Sequence, residues 1–429
     1  MDKDPVQKAL GHVDRAAQTR DQKACAHLCR MLPALRRVAS LQSLGAFAFQ
    51  ISNKAPDWCP DAVCDKPGSK TLSAEADTFF WVLVCMALVK ERLYEACQRT
   101  ALQALSRPLE NRCLFPYTSK LYFYLALSQE RLHTFDSRYF LQEYRSACLR
   151  HDKYSQATLL NVLMRGFLLS GKVEQAQQLD SKTEFPKDAL HAEMARHLYY
   201  QGRIKALQLS YSDAHSSLVQ AMRKTPEKGA KGFKTEVQKL MVVVDLLMGE
   251  IPSKKLLLQD SQLKPYLDLV RVVRVGELEK FTVLLQLHNA IFLQDQNLSL
   301  VTRLRHIVIK SGLRKINIAY SQISLADVSS KLGLPPNDTE FIVAKAIRDG
   351  VIEATIDHEA QTLRSKTLED AYTTLEPQQN FQRRIKFCLE LRNETVKCLQ
   401  FPQQKQQSEQ PPVLSEDVDI HMSDEEDDF

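Results

Sequence analysis

Glycine is scarce in this chain, 13 among 429 residues, and with many Leu, Ala, Gln, Lys and Arg the composition favours helix over strand. No run approaches the roughly 18 unbroken apolar residues of a membrane span, and Met1-Asp2-Lys3-Asp4-Pro5 lacks the apolar stretch of a signal peptide. The expected site of action is therefore inside the cell. The ten cysteines are scattered from Cys25 to Cys398 without the density of a disulfide-stapled scaffold, and are expected as reduced thiols. None of the eleven histidines forms a His-x-His pair or a His-Glu-x-x-His motif, which argues against a metalloprotease-type deubiquitinase, and there is no Gly-x-Ser-x-Gly elbow. No catalytic residue, cofactor site or metal site is assigned on this reading.

What is present is ordinary in amount and uneven in distribution. Hydrophobic residues make up 44% and charged residues 25%, enough for a sizeable core in two or three domains. The net charge of +5 hides an asymmetry: residues 415–429 carry eight acids and no Lys or Arg, leaving +13 on residues 1–414. A basic body suggests an acidic partner, whether nucleic acid, an acidic peptide or an acidic neighbouring subunit; a solvated surface is the plainer alternative.

Residues 1–73 read as helix followed by a Pro-, Cys- and Asp-rich loop from Asn53 to Ser69. From Ala74 a pattern recurs: an apolar helix, a short polar turn, a second amphipathic helix. Turns are expected at Lys90-Glu91-Arg92-Leu93, Gln129-Glu130-Arg131-Leu132, Ser170-Gly171-Lys172-Val173 and Gln201-Gly202-Arg203-Ile204, and less regularly at Met248-Gly249-Glu250 and Val275-Gly276-Glu277. The first four are separated by 39, 41 and 31 residues. Such spacing fits a tetratricopeptide-like solenoid, in which one helix pair cannot bury its apolar face without stacking on neighbours. Gly202 is expected to permit a tight turn there, with Ala195, Leu198 and Tyr199 on one face before it and Ala206, Leu209 and Ala214 packing after it.

After about Val301 the character changes. Leu300, Leu304, Ile307 and Val308 form a helical stripe, continued by Ile316, Ile318 and Ala319. Ser324 reads as an N-cap with Asp327 three residues on and Ile323 stapled to Val328; Gly333 ends that helix. After Pro335-Pro336, Asn337 with Glu340 repeats the capping logic, and a helix runs to Arg348 with Ile342, Ala346 and Ile347 inward. Val351 to Asp357 alternates and returns through Gln361 to Lys366 as a hairpin. Three helices and a hairpin make a winged helix. Beyond it, Phe381, Ile385, Cys388, Leu389, Val396 and Leu399 mark an amphipathic helix over about 378–400, and the acidic end is expected to be a disordered tail in which Ser423, preceding acids, is a candidate phosphosite.

Three tempting sites have plainer explanations. Gly166-Phe-Leu-Leu-Ser-Gly171-Lys172 fits most of a P-loop, but Val173 stands where Ser or Thr must hold magnesium and no strand precedes it. Cys25 and Cys29 with Cys59 and Cys64 offer four thiolates, yet the first pair has helical spacing among Ala24, Ala26 and Leu28, as small buried thiols do. The helix Asn337–Asp349 offers only Lys345 and Arg348 against Asp338, Glu340 and Asp349, which argues against groove binding; the more basic set Arg303, Arg305, His306, Lys310, Arg314 and Lys315 lies on the preceding helix.

Taken together, Tyr266-Leu267-Asp268-Leu269, Gly276-Glu277-Leu278, Lys310-Ser-Gly312-Leu-Arg314, Tyr320 to Asp327 and Phe341 to Ala354 resemble the PCI domain family, shared by the proteasome lid, the COP9 signalosome and translation initiation factor complexes. Leu149 to Asp152, Gln156 to Asn161, Ala195 to Ala206 and Gly249-Glu250-Ile251-Pro252 make the chain similar, from about Phe79 to Pro402, to the family of third non-ATPase subunits of the proteasome regulatory particle lid. The resemblance implies a division into an N-terminal region 1–73, a solenoid 74–190, a PCI domain 191–370 (helical part 191–300, winged helix 301–370), a bundle helix 371–402 and an acidic tail 403–429. It also implies a non-catalytic scaffold in cytoplasm and nucleus. In that family winged helices join edge to edge, C-terminal helices gather into a bundle, and a small acidic disordered subunit lies alongside. Carried onto this chain, the wing edge is Val351, Ile352, Glu353, Ala354, Thr355 and Ile356, and the bundle face is Phe381, Ile385, Cys388, Leu389, Val396 and Leu399. A COP9 signalosome subunit, or a winged-helix nucleic-acid binder, stands as the alternative.

Overall fold

A computed structural model describes residues 5–19, 22–38, 42, 44–45, 73–107, 111–226, 229–258, 260–366 and 371–399. The chain divides into two units, residues 1–364 and 365–429.

The described elements of the first unit are helical as far as Ala319. Its helices are α1 (Pro5–Gln18), α2 (Gln22–Leu28), α3 (Leu32–Val38), α4 (Ala74–Lys90), α5 (Tyr94–Leu105), α6 (Phe115–Arg131), α7 (Ser137–Leu149), α8 (Lys153–Leu169), α9 (Val173–Lys182), α10 (His191–Leu207), α11 (Tyr211–Lys224), α12 (Lys231–Met248), α13 (Lys254–Leu257), α14 (Lys264–Val275), α15 (Leu278–Gln294), α16 (Leu298–Arg303) and α17 (Arg305–Ala319). Three starts, those of α4, α7 and α8, are set by side chains that accept otherwise orphaned amides: Ser73 from Ala76 N, Asp136 from Arg138 N, Asp152 from Tyr154 N and Ser155 N.

Several of the helix ends share one device. A residue in the left-handed conformation stops the helix, and the amide after it donates back to the carbonyl five residues earlier: Leu93 N to Leu88 O, Thr134 N to Gln129 O, Lys172 N to Phe167 O, Ser210 N to Lys205 O and Glu250 N to Asp245 O, all 2.9 to 3.0 Å. The left-handed residues Arg92, His133, Gly171, Leu209 and Gly249 recur at separations of 41, 38, 38 and 40. The repeat is thus more even than the sequence spacing suggests, because the turn expected at Gln201–Ile204 is not there. Those residues lie inside α10, and the chain turns at Leu209, φ 73°. Gly202 serves packing instead: a Cβ there would sit 3.0 Å from the Leu218 side chain of α11. Leu209, expected to pack, is exposed as the turn residue.

Two buried cores fill the unit. One runs from α1 to Ile204 and the other from Ala206 onward, so the division falls within α10. Each contains a buried polar knot. In the first, Glu193, 2% exposed, accepts from Asn161 Nδ2 at 3.0 Å and Arg196 Nη1 at 2.8 Å, with Lys120 Nζ at 3.4 Å. Burial pushes its carboxyl up, but the charges of Arg196 and Lys120 outweigh it and hold the group below the usual range. In the second, Asp295 accepts from Lys239 Nζ at 2.8 Å and Tyr266 Oη at 2.9 Å, while Asn297 Nδ2 donates to Tyr266 Oη at 3.1 Å. The turn Asp295–Asn297 thereby ties α12, α14 and α16 together.

The unit ends in β1 (Gln322–Ser324), α18 (Leu325–Leu332), α19 (Pro336–Arg348), β2 (Ala354–Asp357) and β3 (Thr362–Ser365). The sheet order is β1-β3-β2, with Ile323 opposite Leu363 in an antiparallel pair. This is a winged helix carrying a strand that the sequence reading did not expect. Ser324 caps α18 by accepting from Asp327 N, and Gly333, φ 64°, ends it; Ile323 and Val328 are both buried. The Asn337 cap does not form: Pro335 occupies the N-cap of α19, and Val343, Ala346 and Thr339 are its buried residues, Ile342 and Ile347 being half-buried. α17 meets the α14–α15 turn backbone to backbone, since a Cβ on Gly312 would lie 2.5 Å from Leu332 Cδ2 and 2.7 Å from Gly276 O.

The second unit contains α20 (Glu376–Cys398), 23 residues with none buried.

Candidate assembly surfaces

β3 lies between β1 and β2, so β2 is an edge strand and no strand pairs with its outer side among the described residues. Its side chains alternate as expected, Ala354 buried and Thr355 exposed, with Ile356 half-buried. The strand begins at Ala354, three residues later than the sequence reading placed the edge. Val351, Ile352 and Glu353 still belong to the helix exit: Val351 N donates to Ala346 O at 2.9 Å, and Val351 O accepts from Arg314 Nε at 3.4 Å. Ile352 is buried in the second core. β1 is an edge strand as well, and Gln322-Ile323-Ser324 gave no separate signal because those residues read equally well as cap and staple.

On α20 the six expected residues take one broad face at about 100° per residue. Phe381, Ile385, Leu389, Val396 and Leu399 are exposed, as is Cys388. Phe387 and Leu391, also exposed, form a second row beside Cys388 that the single stripe overlooked. The apolar surface is therefore wider than one partner helix would cover.

The remaining sequence candidates resolve into packing. Gly166 lies in α8, where a Cβ would meet the Phe135 ring at 2.2 Å, and Gly171 is the left-handed stop, so the P-loop resemblance is a repeat turn. Cys25 and Cys29 are buried in the first core, and Cys29 Sγ donates to Pro116 O at 3.8 Å; burial pushes the Cys25 thiol up to about 11. Cys59, Cys64 and Ser423 lie outside the described residues. Of the basic set on α16 and α17, Arg303 donates to Leu207 O, Lys315 to Val275 O and Arg314 to Val351 O, while Lys310 pairs with Asp349 at 3.3 Å. Arg305 and His306 are exposed.

Against known proteins, residues 12–270 match the family model for PSMD3-like N-terminal TPR repeats and residues 284–367 that for the PCI domain, while residues 370–428 match the model for the C-terminal region of a proteasome regulatory subunit. The chain belongs to the family of 26S proteasome non-ATPase regulatory subunit 3. It is 39% identical to the probable 26S proteasome non-ATPase regulatory subunit 3 of Anopheles stephensi, covering 92% of this chain and 85% of that protein. With the Dictyostelium discoideum family member identity is 36%, covering 93% and 88%. With the probable regulatory subunit rpn3 of Schizosaccharomyces pombe it is 41%, covering 79% and 70%. In this family's frame β2 belongs to the PCI segment and α20 to the C-terminal segment, so the two surfaces fall in different matched regions. No helix among the described residues is long and apolar enough to cross a membrane.

Proposed function

We propose that this chain is a non-catalytic scaffold subunit of the lid of the 26S proteasome regulatory particle, where it supports lid assembly and so the ATP-dependent degradation of ubiquitinated proteins. The observation that carries the proposal is α20: an amphipathic helix of 23 residues with no buried residue is a helix built to be covered by other helices. The outer edge of β2 supports the same reading, since its backbone groups gain partners by adding a neighbour's strand. Other PCI subunits would join through the winged-helix edge and lid subunits through the helical bundle. The +13 body suits a small acidic disordered subunit. The compartments are cytoplasm and nucleus.

Affinity purification of the full chain from its own cells, with peptide identification, tests this. Lid subunits should co-purify with the native chain and be lost with Phe381→Asp combined with Ile385→Asp. A chain recovered as a stable monomer without such companions, or one that turned over a substrate unaided, would overturn the proposal. A signalosome set in place of the lid set would move it to the sister complex.

A further inference from the structure

The outward face of α19 belongs to neither assembly surface. Phe341, Lys345 and Arg348 stand at i, i+4 and i+7, one row along the helix, with exposed Ala344 beside them. Phe341 is 75% exposed although it sits mid-helix. At the C-terminal end of this row the cations converge. Lys310 Nζ reaches Asp349 at 3.3 Å, Arg348 Nη2 reaches the same carboxylate at 3.6 Å, and Arg314 uses Nε on Val351 O. Three cations from two helices, Lys310 on α17 with Lys345 and Arg348 on α19, thus act on one acid, and Arg314 lies one turn beyond Lys310 on α17. The hydrogen bond from Lys310 and the charges of Arg348 and Lys345 hold Asp349 below the usual carboxylate range, which places all three within electrostatic reach of it.

From this geometry we infer that the α19 face is a docking surface for a short acidic protein segment bearing an aliphatic or aromatic anchor. The anchor packs on Phe341 and Ala344, and carboxylates one turn away meet Lys345 and Arg348, with Lys310 and Arg314 behind them. Charge complementarity selects the occupant. Excess cation beside an exposed ring favours an acidic chain with an apolar side chain over a neutral helix. Duplex nucleic acid is the poorer fit: a groove-bound helix places its N-terminal residues at the bases and phosphates, and this one begins with Pro335, Pro336 and exposed Asp338, with its cations at the far end. The inference stands on α19 and α17 alone and does not need the lid reading.

The test tethers the full-length chain to a sensor surface and titrates a synthetic peptide of alternating Asp or Glu with Leu and Phe. Its Asn/Gln counterpart and a DNA duplex are the other arms. The acidic peptide should bind, weaken as salt rises from about 50 to about 200 mM, and lose about tenfold in affinity with Phe341→Ser and again with Lys345→Glu plus Arg348→Glu. Lys345→Arg should retain binding, which separates charge from a folding defect. Equal binding of the neutral peptide, or no effect of these variants, would overturn the inference. So would a duplex that binds more tightly than the peptide and is lost with the same substitutions, which would hand the face to nucleic acid.

Discussion

α10 and α20 are both amphipathic in sequence, yet α10 buries Ala195, Tyr200, Ile204 and Ala206 inside its own unit while α20 buries nothing. The difference lies in what flanks them. α10 is followed by a left-handed stop at Leu209 that folds α11 back against it, with Gly202 allowing Leu218 close. Among the described residues of the second unit, no helix returns along α20. The same pattern of apolar residues therefore serves the fold in one place and is available to neighbours in the other. The sharpest way to break this comparison is to strike each region and ask which property fails. Asp295→Ala removes one of the two carboxylates on Lys239, which keeps Glu236 at 2.8 Å, together with the acceptor of the Tyr266 hydroxyl, and the isolated chain should lose about 3 kcal/mol in urea unfolding. Phe381→Asp should leave that unfolding curve in place, within about 0.5 kcal/mol, and remove co-purifying subunits instead. If α20 substitutions destabilised the isolated chain as the core ones do, the contrast would be gone.

A second, smaller effect probes how closely the first unit is packed. Gly312→Ala puts a methyl group against Gly276 O and Leu332, so α17 must withdraw from the α14–α15 turn. Overpacking of this kind should cost about 1 to 3 kcal/mol, read as a drop in the thermal midpoint. Gly171→Ala is the useful control. Its Cβ meets nothing within 4 Å, so its cost should be confined to the left-handed backbone, about 1 kcal/mol.

That pair also shows why part of the fold was legible and part was not. Turns at Lys90–Leu93, Ser170–Val173, Met248–Glu250 and Val275–Glu277 were readable because a polar cluster or glycine interrupts the apolar period there. The turn at Leu209 was not. A leucine in the left-handed region costs about 1 to 2 kcal/mol and carries no sequence mark, while the nearby Gly202 looked like the turn and is a packing contact. The winged helix was legible through Ser324 and Gly333, whose caps follow from local chemistry. β1 was hidden because its partner β3 lies about 40 residues downstream and long-range pairing leaves no local trace. On α20 the main row was readable from its period, and Phe387 and Leu391 were missed because an apolar surface broader than one stripe has no single period.

Burial also gives the core of the first unit a pH dependence. Asp245 lies 3.3 Å from His215 Nδ1, but its Oδ1 accepts no hydrogen bond. Burial pushes its carboxyl up to about 6, with Glu250 adding to the rise and His215 opposing it. The folded state therefore binds this proton more tightly than the unfolded one. The stabilisation is fully present below about pH 4 and lost as pH rises toward about 6. Asp245→Asn removes the dependence and should raise stability near pH 7 by about 1 to 2 kcal/mol, with little change near pH 4, in unfolding curves at both. Equal shifts at the two values would place the cause elsewhere.

The smallest expected effect falls where the unit changes from helices to sheet. Ser324 is the last residue of β1 and the cap of α18, accepting from Asp327 N at 3.1 Å. Ser324→Ala leaves that amide without its acceptor, and since the position is half-buried water replaces it only in part, for a loss of about 1 kcal/mol. Ser324→Asp keeps an acceptor and adds a negative charge at the N-terminus of α18, so it should recover most of the loss. The two substitutions separate the cap from the strand: if Asp failed to rescue, the serine would matter through its place beside Thr362 in the β1–β3 pair rather than through the helix it starts.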